Sequence, residues 1–246
     1  QLHDIPYDNF LRPVTPKRPI HTKGGVVVSE DSGESWRVPY GDAASGGLPA
    51  QVCTTVALDA ASPPDRRTLY AGVFGEGDDD RAGVYKSTDG GRTWSLKSRG
   101  LGHLHPSSGM RNLHVYRVRV HPESGNVYCL ITGLRGSSPE VTYKIPGGLW
   151  RSADGGETWS DISGGQNLVW QSTAFCFDPT DENIIYVTAE SPLGRWRQGG
   201  LYRTMDGGVS WERIFPRDVK KDKKGYHLMS VAVHPEDSKL IYVGDV

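Results

Sequence analysis

The sequence predicts an all-β fold, a β-propeller of four-stranded antiparallel blades with a repeated turn between the third and fourth strands, and three observations predict it. An eight-residue phrase, Ser/Thr-x-Asp-x-Gly-x-Ser/Thr-Trp, occurs four times, at 29–36, 87–94, 152–159 and 204–211. With five constrained positions, a chance match at any one start is on the order of one in a million at ordinary residue frequencies. A second phrase falls between these and keeps better time, since its tyrosines Tyr70, Tyr128, Tyr186 and Tyr242 stand 58, 58 and 56 residues apart. Finally, 31 glycines, 16 prolines, 7 tryptophans and 11 tyrosines suit strands joined by tight turns, and no amphipathic helical period competes.

Each repeat reads in the same order. An alternating strand A, such as the stretch from Val118 to Val120, runs into a polar turn and then an almost continuously apolar strand B, such as Ile184 to Val187. A longer loop leads to strand C, for instance Gly200 to Arg203, and the boxed phrase turns the chain into a short strand D. Four strands per fifty-odd residues is the unit of a propeller, whose blades bury their faces on one another. In the box, Gly supplies φ > 0, the Asp carboxylate accepts backbone N–H groups across the turn, the hydroxyl residue adds a local bond, and Trp covers the turn. Asp31, Trp36, Asp89, Trp94, Asp154, Trp159, Asp206 and Trp211 are therefore read as structural. His121 and His234 stand where Asp178 stands, before a proline, and are read as turn residues too.

The pattern divides the chain into an extended proline-bearing arm or linker at 1–20 and a propeller at 21–246, with three complete blades between a partial first and a partial last blade. Two closures fit that count. The chain is a processed or truncated part of a larger propeller, the reading favoured here, or its last A and B strands pair with its first C and D strands in a four-bladed ring.

Composition narrows the function. The 28 Lys and Arg nearly balance 29 Asp and Glu, so no global field draws nucleic acid, and no segment has the apolar length to span a bilayer. Cys53, Cys129 and Cys176 are odd in number and lack metal-ligand spacing; Cys129 and Cys176 occupy repeat positions held elsewhere by Ala or Val and read as buried hydrophobes.

The four boxes and the strands around them resemble the Asp-box, or BNR-repeat, family over residues 24–246, with Thr204 in place of the first Ser of the last box. In that family the repeats build propellers of sialidases, xyloglucan-degrading hydrolases with paired propellers, sortilin-type receptors and a photosystem assembly factor. The resemblance implies the propeller and leaves the activity open. A sialidase-like Arg-Ile-Pro motif has only a mid-chain approximation here, Lys144 to Pro146.

Function is expected on the face that carries the long, dissimilar loops, because variable loops on a rigid scaffold are where sites sit. The D-to-A loops bring Gln51, His114, Tyr116, Arg117, Gln171 and His227 to the channel mouth. Arg117 replaces Thr, Ala or Ser of the other repeats, and its guanidinium suits an anion or sugar hydroxyls, or a salt bridge between blades. Trp170 and Trp196 lie outside the repeated pattern and offer faces for sugar rings or for loop packing. The acids of that face are Glu76, Asp78, Asp79, Asp80, Glu140 and Glu190. Glu76 and Glu190 are the catalytic candidates, since glycoside hydrolysis needs two carboxylates. No cofactor is expected, although the Asp78 to Asp80 run has the oxygen ligands calcium takes; His103 and His105 lack a third metal ligand, and the Lys220 to Lys224 run reads as an exposed basic loop.

The expected function is glycan or protein binding through the loop-bearing face, outside the cytoplasm, with no nucleic acid partner and with further blades supplied by more sequence or another chain. The alternative is a glycoside hydrolase, xyloglucanase-like more than sialidase-like, of which this chain is a propeller portion.

Overall fold

The computed structural model describes residues 25–37, 46–48, 53–75, 81–104, 109, 111–137, 142–164, 172–189, 199–217 and 226–245. Among them there is no helix, and every strand pairing is antiparallel. The first complete blade is β1 (Cys53–Leu58), β2 (Leu69–Gly75), β3 (Gly83–Ser87) and β4 (Ser95–Leu96). The second is β5 (Leu113–Val120), β6 (Val127–Ile131), β9 (Gly148–Ser152) and β10 (Ser160–Asp161), with a hairpin of β7 (Leu134–Ser137) and β8 (Thr142–Ile145) inserted between its B and C strands. The third is β11 (Ser172–Phe177), β12 (Ile185–Ala189), β13 (Gly200–Thr204) and β14 (Glu212–Phe215). β15 (Leu228–His234) and β16 (Asp237–Asp245) form a final A and B pair, and a bridge between Val28 and Arg37 marks a C and D pair at the other end. The all-antiparallel, helix-free arrangement of strands agrees with the fold class read from the sequence. The arm at 1–20 lies outside the described residues, and so do most of the long loops.

The inserted hairpin was not expected, because the Gly, Ser and Pro of residues 132–146 read as loop. β7 and β8 pair from Leu134↔Ile145 to Ser137↔Thr142, so the Lys144 to Pro146 stretch ends a strand.

The core is a stack of layers between blades. Val26, Leu48, Ala71, Val73, Tyr85 and Trp94 pack the first C and D pair onto the first complete blade. Tyr70 and Val84 meet Val118, Cys129, Trp150 and Trp159 across the next seam. Tyr128, Leu130 and Leu149 meet Phe175, Val187 and Tyr202 across the third, and Tyr186 and Leu201 meet Leu228 and Val231 across the fourth. Each blade thus buries one face forward and one backward, the nearest-neighbour logic of repeat architecture. Polar bonds pin the same seams: Trp159 Nε1 donates to Lys97 O at 2.8 Å, Trp211 Nε1 to Ile162 O at 2.8 Å, and Tyr70 OH to Gly155 O at 3.2 Å. Gly208, at φ +98°, lies where a Cβ would come within 2.7 Å of Ile162, so this seam needs both the left-handed backbone and the missing side chain.

The four boxes share one bonding scheme. In the third, Ser152 Oγ donates to Asp154 Oδ1 at 2.7 Å and accepts from Gly156 N at 2.7 Å, while Thr158 N donates to Oδ1 at 2.9 Å and Thr158 Oγ1 to Oδ2 at 2.5 Å. Asp31, Asp89 and Asp206 repeat it with Ser29 and Ser35, Ser87 and Thr93, and Thr204 and Ser210. The A-to-B turns are equally uniform. Asp59 and Asp178 accept from the backbone two residues on, and His121 and His234 do the same through Nδ1. An imidazole nitrogen replaces a carboxylate oxygen in one geometric role. Cys129 and Cys176 are buried as expected, and burial pushes the Cys176 thiol up to about 11.

Candidate functional site: a groove on the inner strands

In each complete blade strand A is the inner end of the sheet and strand D the outer edge. The A strands of neighbouring blades are tied directly, since Thr54 Oγ1 donates to Val115 O at 2.7 Å and Thr55 Oγ1 accepts from Val118 N at 3.4 Å. Beside this joint lies a groove of 540 Å³ lined by residues of β1 and β5 together with Pro122 and Phe177. Val56 and Leu58 on one wall are 50% and 48% exposed, although each is a large aliphatic side chain. Arg117 and Arg119 line the other wall, two residues apart and so on one face of the strand.

The guanidinium of Arg117 sits 4.7 Å from the centroid of the Tyr116 ring and donates to Tyr116 O at 3.2 Å. Arg119 stands 5.8 Å from the Phe175 centroid. Neither forms an ion pair among the described residues, so the salt bridge between blades considered for Arg117 is not among the described contacts. The groove therefore combines two forks of cationic donors with an apolar wall. That pairing suits a ligand with many oxygens and apolar ring faces, the surface character of a sugar chain.

His114 differs from its expected place at the channel mouth. Its side chain is 2% exposed and stacked on Phe74 with centroids 4.2 Å apart, and burial pushes its pKa down to about 3, which makes it a neutral seam residue. The cause is the pairing of Phe74 with His114 between blades, together with a neighbouring clamp: buried Asn112 donates to Thr132 O and Pro146 O and accepts from His114 N. Sequence reading missed Asn112, for which the only signal was a polar residue before a strand. His227 is half-buried, with its backbone N donating to Asp245 Oδ1 at 2.8 Å. His103 packs edge-on to Trp150, with Nε2 3.3 Å from Asp161 Oδ2. Burial raises the Asp161 carboxyl, but the contacts from His103 and Ser163 outweigh it and leave it below the usual range. No cluster of three metal-ligating side chains occurs among the described residues. Gln51, Glu76, Asp78 to Asp80, His105, Glu140, Trp170, Gln171, Glu190, Trp196 and Lys220 to Lys224 lie outside the described residues.

With this geometry in place, comparison with known proteins is informative. The profile of the BNR/Asp-box repeat matches residues 85–96, which span β3, the second box and β4. The chain carries the BNR/Asp-box repeat. Over 99 residues this Asp-box protein is 32% identical to the oligoxyloglucan reducing end-specific xyloglucanase of Emericella nidulans, a match that covers 37% of the chain and 10% of that relative. Its fold is similar to the crystal structure of the GH74 xyloglucanase from Xanthomonas campestris, with a TM-score of 0.62 and 20% identity over 90% of this chain and 32% of that one. YCF48 from Cyanidioschyzon merolae is similar at a TM-score of 0.51 and 15% identity, over 91% of this chain and 61% of that one. The Asp-box chain thus spans a small share of the xyloglucanases it matches and constitutes a partial propeller beside them.

Proposed function

We propose that this chain is a propeller portion of a xyloglucan-acting glycoside hydrolase and that its part in the reaction is to bind the polysaccharide along the inner-strand groove. The observation that carries the reading is the groove itself, lined both by Arg117 and Arg119, which form no ion pair among the described residues, and by the exposed aliphatic residues Val56 and Leu58, on a scaffold whose fold is similar to that of xyloglucanases. Arg117 and Arg119 donate hydrogen bonds to sugar oxygens, and Val56 and Leu58 accept the apolar faces of the rings. Tyr116, His114, His227, Gln171, Trp170 and Trp196 remain the further ligand contacts proposed from the sequence. Glu76 and Glu190 are the carboxylates proposed for acid–base or nucleophilic work in the complete enzyme, where hydrolysis requires two at a fixed separation. A polymer substrate of this size is met outside the cytoplasm, so the same proposal puts the protein there.

Affinity electrophoresis in gels containing xyloglucan tests the reading. The wild-type chain is retarded, and Arg117→Ala weakens binding about tenfold or more, the loss of charge-assisted hydrogen bonds worth about 1.5–3 kcal/mol. Equal mobility of wild type with and without polysaccharide sinks the proposal. In the complete enzyme, Glu76→Gln and Glu190→Gln each abolish release of reducing sugar if these two carry the chemistry; unchanged turnover removes them.

A further inference from the structure

The connection from strand D of the first complete blade to strand A of the second crosses the seam between them before it enters β5. Trp159 N donates to Arg99 O at 3.1 Å, and Gly100, at φ +84°, lies where a Cβ would come within 2.7 Å of Trp159 O. Leu101 is fully buried in the cluster that holds Trp150 and Trp159. The chain then folds back on itself, since Asn112 N donates to His103 O at 2.9 Å, and Arg111 Nη1 donates to Leu101 O and Gly102 O at 2.9 Å each.

An ion pair fastens this fold-back to the second blade, with His103 Nε2 3.3 Å from Asp161 Oδ2 and the imidazole edge-on to Trp150. Both side chains are about one-third exposed, yet Nε2 itself is closed off from solvent and makes no aligned hydrogen bond. The carboxylate opposite is what compensates it. Asp161 is fixed in turn, because its Oδ1 accepts from Ser163 N at 2.8 Å and its backbone pairs with Trp150. The pair breaks the repeat, since Leu96 and Arg213 hold the place of Asp161 two residues past their box tryptophans.

The other charged groups on the elements packed here have partners of their own. Arg111 is bonded to the carbonyls that precede His103, Lys97 and Glu157 stand 2.7 Å apart, and Arg151 of β9 bonds to Tyr128. Trp150 and Ser163, which also meet the pair, are neutral. Among the described residues, Asp161 is the carboxylate at ion-pair distance from His103.

We infer that His103 and Asp161 form a pH-sensitive latch, closed in mild acid and loosened above neutrality, that governs the order of the loop-bearing face at this seam. A charged imidazole sets an N–H on Nε2 against a carboxylate oxygen; the neutral ring loses the charge, and with its proton on Nδ1 it turns a lone pair on Oδ2. Burial raises the Asp161 carboxyl, but its contacts hold it below the usual range, so it stays ionised wherever an imidazole ordinarily titrates. The attraction is therefore present in mild acid and is lost as rising pH removes the imidazole proton. Opening the latch frees the backbone bond from Asn112 N to His103 O, and the side chain of Asn112 holds Thr132 O and Pro146 O at the base of the β7–β8 hairpin. The loosening thus reaches that hairpin. The latch joins two complete blades and needs no ligand in the groove.

Hydrogen–deuterium exchange of the intact protein, read by mass spectrometry and corrected for intrinsic exchange, tests it. Between about pH 5.5 and about pH 8, protection of peptides spanning 98–104 and 111–113 should fall about two- to fivefold, the range an exposed ion pair supplies, while β12 stays unchanged. His103→Gln and Asp161→Asn should each remove the pH step and leave the loop near its wild-type level at the higher pH, with β12 reporting that the variants are folded. Equal wild-type protection at the two pH values overturns the latch. So does a step of wild-type size in both variants, which assigns it to another group. The wild-type comparison needs no substitution, so a variant that fails to fold cannot hide the result.

Discussion

At the scale of the residue, the conspicuous aspartates are explained by their bonds. Ser35 and Ser29 hold the Asp31 carboxyl down at about 2, and Ser210 and Thr204 do the same for Asp206; Asp154, held by Thr158 and Ser152, is lower still. A carboxyl held low in the folded state stabilises it above the unfolded-state value near 4, and that contribution is lost as pH falls through the folded value. Thermal melts should therefore show a stability that declines from about pH 4 to about pH 2. Asp154→Asn should lower the melting temperature at pH 7 and reduce that decline; a pH profile identical to wild type would contradict the bonding scheme. Arg117 is the opposite kind of residue. It has no carboxylate partner among the described residues, so Arg117→Ala should leave the melting temperature within about a degree of wild type, as surface changes do. A large drop would make it structural.

At the scale of the element, the seams carry the stability. Trp159 is 5% exposed and bonded to the blade before it, so Trp159→Ala should cost about 3–5 kcal/mol in urea unfolding. Gly208→Ala forces a side chain into Ile162 at a left-handed backbone position and should cost about 1–3 kcal/mol. The strands that hold these residues were legible because a two-residue alternation and a fifty-odd-residue period survive in the sequence. The box bonds were legible because they are local, all within eight residues. The inserted β7–β8 hairpin was not, since its turn-forming residues look like a loop until the pairing is seen. His114 was misplaced for a related reason: strand position was readable from the repeat, but the register between blades that buries it against Phe74 is a long-range contact with no sequence period. The groove combines the two cases. Arg117 announced itself by breaking the repeat, whereas Val56, Leu58 and Arg119 looked like ordinary strand residues until β1 and β5 were brought side by side.

At the scale of the whole molecule, the chain is a partial propeller whose repeated turns keep the blades in shape, and the unrepeated inner wall is the surface proposed to meet the ligand. The measurement that tests this most directly is amide NMR mapping of the chain titrated with xyloglucan oligosaccharides. The account predicts saturable shifts gathered at residues 55–58 and 117–119, with the four boxes unmoved. Shifts confined to the boxes, or none at millimolar oligosaccharide, would contradict it.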